Sequence, residues 1–254
     1  MKYFNIKSLI CCLLCCICTA FGELLYDIDF SSPIHTVGQQ MTIGAGSIPS
    51  RTASRNNFGE QIVISSCYGL TEQPVKLVPG DTPLVDRDYS QFQLSMSEFS
   101  YPSYKLDFDV CISGMSSGWD GFTLLFDVPT VVRLHFSNNG YIIENDSRRD
   151  NIIRAYESQE LLSMSVLVDI PTNTWSISCN SEHLYEGQFF YTYPAHPEPP
   201  EYVNSIRFNL CDDLGTHTVP VVCMDNIRVF GVPEPATVVF LMLGSVLVKG
   251  RRRR

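Results

Sequence analysis

The chain of 254 residues carries 18 Lys and Arg against 27 Asp and Glu, which gives a formal net charge of −9 at pH 7. The basic residues concentrate at the two ends, so residues 23–231 hold only 11 basic against 26 acidic side chains, a net charge of −15. A surface of this sign repels phosphate backbones and anionic lipids, which argues against nucleic acid as a partner and leaves cations and neutral sugars.

The first predicted element is a signal peptide over residues 1–22. Lys2 and Lys7 precede a short apolar run at residues 9–18, and small residues follow at Ala20 and Gly22. A positive flank, a short apolar run and a small-residue cleavage site together are typical of secretory signals. We therefore expect signal peptidase to cut near Gly22, and the alternative is a buried N-terminal helix.

The body, residues 23–231, is dominated by alternation of apolar and polar residues, which is the pattern of β-strands with one wet face. About a dozen such segments occur, bounded by Gly, Pro, Asn, Asp and Ser. The inward-facing residues of the clearest five are Tyr104, Leu106, Phe108, Val110 and Ile112; Phe122, Leu124 and Phe126; Leu162, Met164, Val166 and Val168; Trp175, Ile177 and Cys179; and Ile206, Phe208 and Leu210.

Helical periodicity is nearly absent from the body, and residues 157–164 are the one stretch where a short helix competes with a strand. Many short strands without helices to cover a parallel sheet predict two antiparallel sheets packed face to face. Residues 31–58 and 137–159 are rich in polar and small residues and are predicted to be long loops, with a short strand at residues 141–144. We find no internal repeat or linker, so we expect one all-β domain, a β-sandwich.

Three stretches of the body carry a further signal: LYDIDF at residues 25–30, VLVDIPTNTWSISCNSEHLYEGQF at residues 166–189, and MDNIRV at residues 224–229. Together they resemble the concanavalin A-like or laminin G-like jelly rolls of bacterial surface proteins. The middle stretch is predicted to form two hairpins. Its second turn is Asn180-Ser181, where such domains usually carry a glycine, so the sequence leaves the tight type I′ geometry in question.

The last predicted element is a sorting tail over residues 232–254. Val232-Pro233-Glu234-Pro235-Ala236-Thr237 leads into an apolar run at residues 236–248, and the chain ends in Arg251, Arg252, Arg253 and Arg254. The run is shorter than the roughly 20 residues of a helix that spans a bilayer, and the arginines would remain in the cytoplasm. These three parts in this order resemble the PEP-CTERM signal of exported bacterial proteins. The resemblance implies handling by an exosortase, cleavage near the Pro-Glu-Pro, and delivery to the cell envelope, cell surface or extracellular matrix.

The body contains five cysteines, Cys67, Cys111, Cys179, Cys211 and Cys223, and export would permit disulfides. The odd number leaves at least one thiol unpaired, and the sequence does not decide the pairing. The spacing of these five cysteines contains no C-x-x-C, so a zinc site has little support. Cys179 alternates in phase with Trp175 and Ile177 and is predicted to be a small buried residue.

Residues for catalysis are hard to nominate. Glycoside hydrolysis needs two carboxylates about 5 to 9 Å apart, and related jelly-roll enzymes place theirs in a Glu-x-Asp-x-x-Glu pattern that is absent here. Asp107 and Asp109 are the nearest analogue, because they share one face of one strand, but they also fit an ordinary solvated face. The five histidines are scattered, so no Ser-His-Asp arrangement can be nominated.

Two kinds of ligand remain. Calcium needs several oxygens, and the oxygen-rich candidates are Asp146 and Asp150 in one predicted loop and Asp212 and Asp213 in another, with acidic solvated loops as the alternative. Sugars stack on exposed aromatic side chains and bind a few polar groups. Trp119 between glycines, with Tyr191 and Tyr193 in a Pro-rich stretch, are the candidates for glycan contact, and Trp175 is predicted to lie in the core.

The sequence therefore predicts an exported, non-catalytic surface or matrix protein that binds extracellular polysaccharide. It needs no catalytic cofactor, and calcium is the one ion that the composition suggests. Two alternatives remain open: a glycoside-active enzyme with an unrecognised carboxylate pair, and a structural matrix component that binds no glycan.

Overall fold

The computed structural model describes residues 22–30, 36–40, 53–55, 60–78, 88–97, 99–113, 121–127, 131–137, 139–146, 149–189, 202–212 and 221–233. These residues form fifteen β-strands and no helix. The strands are β1 (Glu23–Ile28), β2 (Ala53–Arg55), β3 (Glu60–Val63), β4 (Val75–Val78), β5 (Asp88–Ser95), β6 (Ser103–Ser113), β7 (Gly121–Asp127), β8 (Val132–Ser137), β9 (Tyr141–Asp146), β10 (Arg149–Ala155), β11 (Leu161–Asp169), β12 (Thr174–Cys179), β13 (Glu182–Gln188), β14 (Ser205–Asp212) and β15 (Val221–Val232).

The strands are arranged in two antiparallel sheets. The first has the order β13-β12-β11-β6-β15-β4-β3, and β1 also pairs with β15. The second has the order β10-β9-β8-β7-β14-β5-β2. The predicted two-sheet sandwich is confirmed, and its first and last strands lie side by side, with Asp27 opposite Arg228.

The inward-facing residues predicted from alternation are confirmed. Every one of them is at most 3% exposed, including Trp175 and Cys179. Phe208 of the second sheet contacts the ring of Phe108 of the first sheet at 5.4 Å and those of Phe92 and Phe122 at 5.9 and 6.2 Å. These rings join the two sheets at the centre of the core, where burial of apolar area is the main source of stability.

Glu144 connects the sheets at one edge. It is buried on β9, and its Oε2 accepts hydrogen bonds from Tyr185 Oη of β13 and from Asn151 Nδ2 of β10, both at 2.8 Å. Tyr185 also packs against Trp175, with ring centroids 5.4 Å apart. A buried carboxylate is retained because donors from both sheets satisfy it.

The prediction of a long loop at residues 137–159 is wrong for most of its length, and the short strand predicted within it at residues 141–144 is confirmed as part of β9. β9 and β10 form an antiparallel hairpin there, with Asn145 opposite Asp150 and Ile143 opposite Ile152. Polar composition suggested a loop, but the β-branched residues at positions 142, 143, 152 and 153 favour strands. Within residues 31–58, the structure describes residues 36–40 and strand β2.

The competing helix at residues 157–164 does not form. Residues 157–160 make a turn in which Glu160 N–H donates to the Glu157 carbonyl at 3.1 Å, and Gln159 has a φ of 69°. That left-handed backbone cannot continue a right-handed helix. β11 follows immediately, and Leu162 and Met164 lie in the core.

The two predicted hairpins of residues 166–189 are confirmed as β11-β12 and β12-β13. The turn between β12 and β13 has φ values of 51° at Asn180 and 67° at Ser181. Positive φ at both central residues is what a type I′ turn requires, so the chain adopts this geometry without a glycine. Asn180 Oδ1 helps to hold the turn because it accepts the Ser163 N–H at 3.0 Å.

One disulfide joins Cys67 to Cys223, and Cys111 and Cys179 are buried free thiols. Cys111 lies opposite Cys223 on the neighbouring strand and packs in a small cluster with the disulfide and Leu70. Burial raises the pKa of the Cys111 thiol to about 11. Cys211 lies in β14, and its side chain is outside the described part of the chain.

The predicted signal peptide and sorting tail lie outside the described residues except for Gly22, Val232 and Pro233. Val232, the first residue of the predicted sorting motif, ends β15 and pairs with Ser103. In the part of the chain that is described, no helix has the length and apolar character to span a membrane.

Candidate functional site

A groove of about 420 Å³ lies on the outer face of the first sheet. It runs across β12, β11, β6 and β15, and the outward side chains that line it are polar. The residues around it are Lys105, Asp107, Phe108, Asp109, Ser163, Met164, Ser165, Ser178, Ser181, Asn226 and Arg228. We call it the outer groove.

Strand register aligns the polar side chains of the outer groove in rows. Asp107 lies opposite Ser165 on one side and Arg228 on the other, and Ser165 lies opposite Ser178. The next row places Asp109 opposite Ser163. Directly opposite residues in a sheet are close enough for their side chains to interact, so each aspartate has a hydroxyl neighbour across the strand.

A β-bulge in β15 shapes one wall of the groove. Asp225 lies opposite Asp109 but Arg228 lies opposite Asp107, so β15 contains one extra residue. Asn226 has a φ of 51° in this bulge, a conformation that asparagine tolerates better than most residues. The bulge places Asn226 on the outer face, where its Nδ2 donates to Asp109 Oδ2 at 2.8 Å.

Lys105 and Arg228, the two cations of the groove, are in ion pairs. Lys105 Nζ donates to Asp107 Oδ2 at 2.7 Å and lies 5.7 Å from the centre of the Phe230 ring. Arg228 Nε donates to Asp27 Oδ1 at 3.0 Å. In contrast, Asp107 Oδ1 is a buried oxygen that has no hydrogen-bond partner among the described residues. The groove therefore offers an unused acceptor but keeps its cations in ion pairs.

Asp225 is a second unusual carboxylate next to the groove. It is 2% exposed and lies where the pairing of β15 passes from β4 to β1. Its pKa is raised to about 6 by burial above all, and the Asn226 N–H, which donates to Asp225 Oδ1 at 2.8 Å, lowers it in part. The nearby carboxylates of Asp29, Asp109 and Glu72 also contribute to the raised pKa. The site thus holds a carboxyl group that titrates close to neutral pH.

The structure brings Asp107 and Asp109 together in the outer groove, as their position on one strand face predicted. The aromatic residues predicted to contact a glycan, Trp119, Tyr191 and Tyr193, lie outside the described residues. Their role stays a prediction.

Three of the four calcium candidates do not lie in the loops that were predicted. Asp146 ends β9, Asp150 lies in β10, and Asp212 ends β14, because these segments pair with neighbouring strands. Their side chains, and all of Asp213, are outside the described part of the chain. Among the side chains that are described, no group of three or more His, Cys, Asp or Glu is placed to hold a metal ion.

Several residues of the groove were not nominated from the sequence. Ser163, Ser165 and Ser178 occupy outward positions of correctly predicted strands, but serine at such a position is too common to indicate a site. Asn226 could have been found, because the apolar residues Met224 and Ile227 are three apart instead of two. This break in alternation indicates a bulge, and bulges are frequent beside functional sites.

No protein-family model matches the chain, and no curated protein matches it. Solved structures with a similar fold include a sialidase, at 12% identity and a TM-score of 0.58, covering 82% of this chain and 18% of that one. Botulinum neurotoxin type C, whose passage into cells is described as dependent upon interaction with two ganglioside molecules, matches at 9% identity and a TM-score of 0.51, with coverage of 90% and 52%.

The binding domain of botulinum neurotoxin DC, solved in complex with rat synaptotagmin II, matches at 9% identity and a TM-score of 0.51, with coverage of 87% and 51%. The chain thus spans about half the length of the two neurotoxin chains and less than a fifth of the sialidase. At these identities the likeness concerns the fold alone, and this chain has the two-sheet β-sandwich fold of a jelly roll.

Proposed function

We propose that the chain is an exported, non-catalytic carbohydrate-binding protein and that the outer groove is its glycan site. The observation that carries this proposal is the outer groove itself, which is lined by hydroxyl, carboxylate and amide groups and contains Asp107 Oδ1, a buried acceptor without a donor among the described residues. Buried polar atoms are normally satisfied, and a turn of the carboxylate about its Cβ–Cγ bond would present this oxygen to a sugar hydroxyl in the groove. Two proteins of similar fold, a sialidase and a neurotoxin that interacts with gangliosides, also concern glycan-bearing molecules.

We favour binding over catalysis because both aspartates of the groove are held by neighbours. Asp107 is bound to Lys105, and Asp109 is bound to Asn226. A glycosidase needs one carboxyl group that delivers a proton and a second that acts on the opposite side of the sugar. Two aspartates on one face of one strand, each tied to its own donor, suit the orientation of a bound ligand better.

A glycan array with the full chain, purified in mild detergent, tests the binding proposal. We expect retention of at least one class of oligosaccharide and loss of that signal in a Ser165→Trp variant, whose indole would fill the groove. A Glu186→Gln variant is the matched control, because Glu186 is exposed on the same sheet outside the groove. An array on which the wild-type chain binds no glycan would leave the structural matrix role instead.

The same preparations test the absence of catalysis. Incubation with β-glucans and with each glycan that the array retains should release no reducing sugar above a buffer blank. Release that Asp107→Asn or Asp109→Asn abolishes, in variants with the wild-type melting temperature, would show that the chain is a glycoside-active enzyme.

A further inference from the structure

We infer that the outer groove takes a neutral, hydroxyl-rich glycan and disfavours glycans that carry carboxylate or sulfate groups. This inference rests on the proposed function and adds the chemical class of the ligand. It follows from how the charges of the groove are paired, which acceptor is left over, and what field surrounds the groove.

The cations of the groove are already engaged. Lys105 is paired with Asp107, and Arg228 is paired with Asp27. A carboxylated or sulfated sugar that bound the remaining N–H donors of either cation would lie beside the aspartate already paired with that cation. The like-charge contact would offset the new ion pair, so such binding brings little net gain.

The acceptors of the groove are in excess. Asp107 Oδ1 is buried and has no donor among the described residues. A turn of the carboxylate would bring this oxygen to a sugar hydroxyl, which would supply a charge-assisted hydrogen bond. Ser165 and Ser163 lie opposite Asp107 and Asp109, respectively. Serine hydroxyls both donate and accept hydrogen bonds. The two serines with their aspartates can therefore bind adjacent hydroxyl groups of a sugar, which also donate and accept.

The surroundings of the groove are acidic as well. Asp225 lies beside Asp109 beneath the groove wall, with Asp29 and Glu72 near enough to affect it. The body as a whole carries a net charge of −15 over residues 23–231. A field of this sign slows the approach of anionic polysaccharides and leaves neutral ones unaffected.

Matched ligands test the inference. Lactose and sialyllactose, and neutral gluco-oligosaccharides and oligogalacturonides, form pairs that differ mainly in carboxylate content. With the full chain, we expect isothermal titration calorimetry to give a Kd at least about tenfold lower for the neutral member of whichever pair binds. The aspartates of the groove would repel the carboxylate of the anionic member, which would therefore lose a charge-assisted hydrogen bond to the groove. The preference should shrink as salt is raised.

The Asp107→Asn variant makes the test specific to the groove. It removes a charged acceptor and frees Lys105, so neutral ligands should bind about tenfold more weakly and the neutral-to-anionic ratio should fall by at least that factor. The Glu186→Gln control changes the net charge equally and should leave the ratio as in the wild type. Thermal melting verifies that both variants are folded.

The outcomes separate the two proposals. Tighter binding of the anionic member, lost in Lys105→Met or Arg228→Met, would overturn the neutral-glycan inference and support the proposed function. If Asp107→Asn and Glu186→Gln change the neutral-to-anionic ratio equally, the net charge and not the groove selects the ligand. That result would also overturn the inference. Absence of binding by every ligand and on the array would overturn both.

Discussion

At the scale of single residues, the structure shows two properties of Asp225, its burial and its raised pKa, where the sequence shows only a polar residue in a strand. It is buried in a crowd of carboxylates, and its pKa is raised to about 6. The folded state therefore holds the proton more tightly than the unfolded chain does, for which an ordinary aspartate value near 4 applies. By linkage, stability falls as the pH rises from about 4 to about 6, and the loss is complete above that range.

Replacement of Asp225 by Asn should remove this loss. The variant should match the wild type near pH 4 and exceed its free energy of unfolding by about 1 to 3 kcal/mol at pH 7.5, since two pKa units correspond to roughly that energy. Asparagine keeps an acceptor for the Asn226 N–H. Urea denaturation at pH 4, 5.5 and 7.5 measures the difference, in which the titration of other groups cancels.

The exposed Glu186→Gln variant serves as the control for Asp225→Asn and should show no such pH-dependent difference. A deficit of the Asp225→Asn variant that is the same at all three pH values would mean that the carboxylate is required for packing and that its ionisation does not limit stability.

At the scale of elements, the β12-β13 hairpin shows that turn geometry is set by the strands on either side. Asn180 and Ser181 have the positive φ values of a type I′ turn although neither is glycine. The twist of two strands joined by two residues favours this turn. The pairing of Trp175 with Gly187 and of Ile177 with Tyr185 fixes the register, and the turn residues accept the conformational cost.

Replacement of Ser181 by Gly should relieve that cost. Glycine adopts positive φ freely, so we expect the free energy of unfolding to rise by roughly 0.5 to 1 kcal/mol after allowance for the greater chain entropy of the unfolded state. Ser178→Gly, in the extended part of β12, is the matched control and should lower stability by a similar amount. Thermal melting that ranks the two variants in the opposite order would contradict the turn assignment.

At the scale of the whole molecule, the disulfide connects regions of the first sheet that are far apart in the sequence. Cys67 lies just before β4, Cys223 lies in β15, and 156 residues separate them. A cross-link that closes so long a loop restricts the unfolded chain strongly. Because disulfides form in oxidising compartments, this one also agrees with the proposed export.

Reduction of the disulfide should lower the free energy of unfolding by up to about 5 kcal/mol, the size that chain entropy gives for a loop of this length. Guanidinium denaturation with and without reductant measures the loss. A Cys67→Ala variant should be destabilised in both conditions and insensitive to reductant, and Cys111→Ala should remain sensitive. Equal stability of oxidised and reduced wild type would show that the cross-link adds nothing to the sandwich.

The C-terminal segment, residues 232–254, leads to a prediction about processing. We propose that residues 232–254 hold the exported body at the membrane until an exosortase cuts near the Pro-Glu-Pro. The apolar run of 13 residues spans roughly 20 Å as a helix, against about 30 Å of hydrocarbon, so it is a marginal anchor. Mass spectrometry of protein from the host envelope or matrix should find no peptide beyond Val238.

Truncation after Val232, which leaves β15 complete, should divert the protein to the periplasm or the medium. If a truncated chain still reached the cell surface, sorting would not depend on the tail. Mature protein that retains Arg251 to Arg254 would identify a permanent anchor.

The sequence by itself determined which residues of the body face inward. Alternation with a period of two is a local property of a strand, so the apolar faces of β6, β7, β11, β12 and β14 could be assigned without knowledge of their partners, and the two-sheet class followed. The same logic placed Asp107 and Asp109 on one outer face. The prediction was wrong at residues 137–159, because it followed the polar composition of this stretch and not the β-branched residues of β9 and β10.

Only the tertiary structure decided which strands are neighbours, and the site depends on that choice. Ser165, Asp107 and Arg228 come from strands separated by about 60 residues of chain, and they form a row because β6 pairs with both β11 and β15. The burial of Asp225 likewise arises where β4 and β1 meet on β15. Long-range pairing is fixed by the packing of the whole core, and no local pattern in the sequence encodes it.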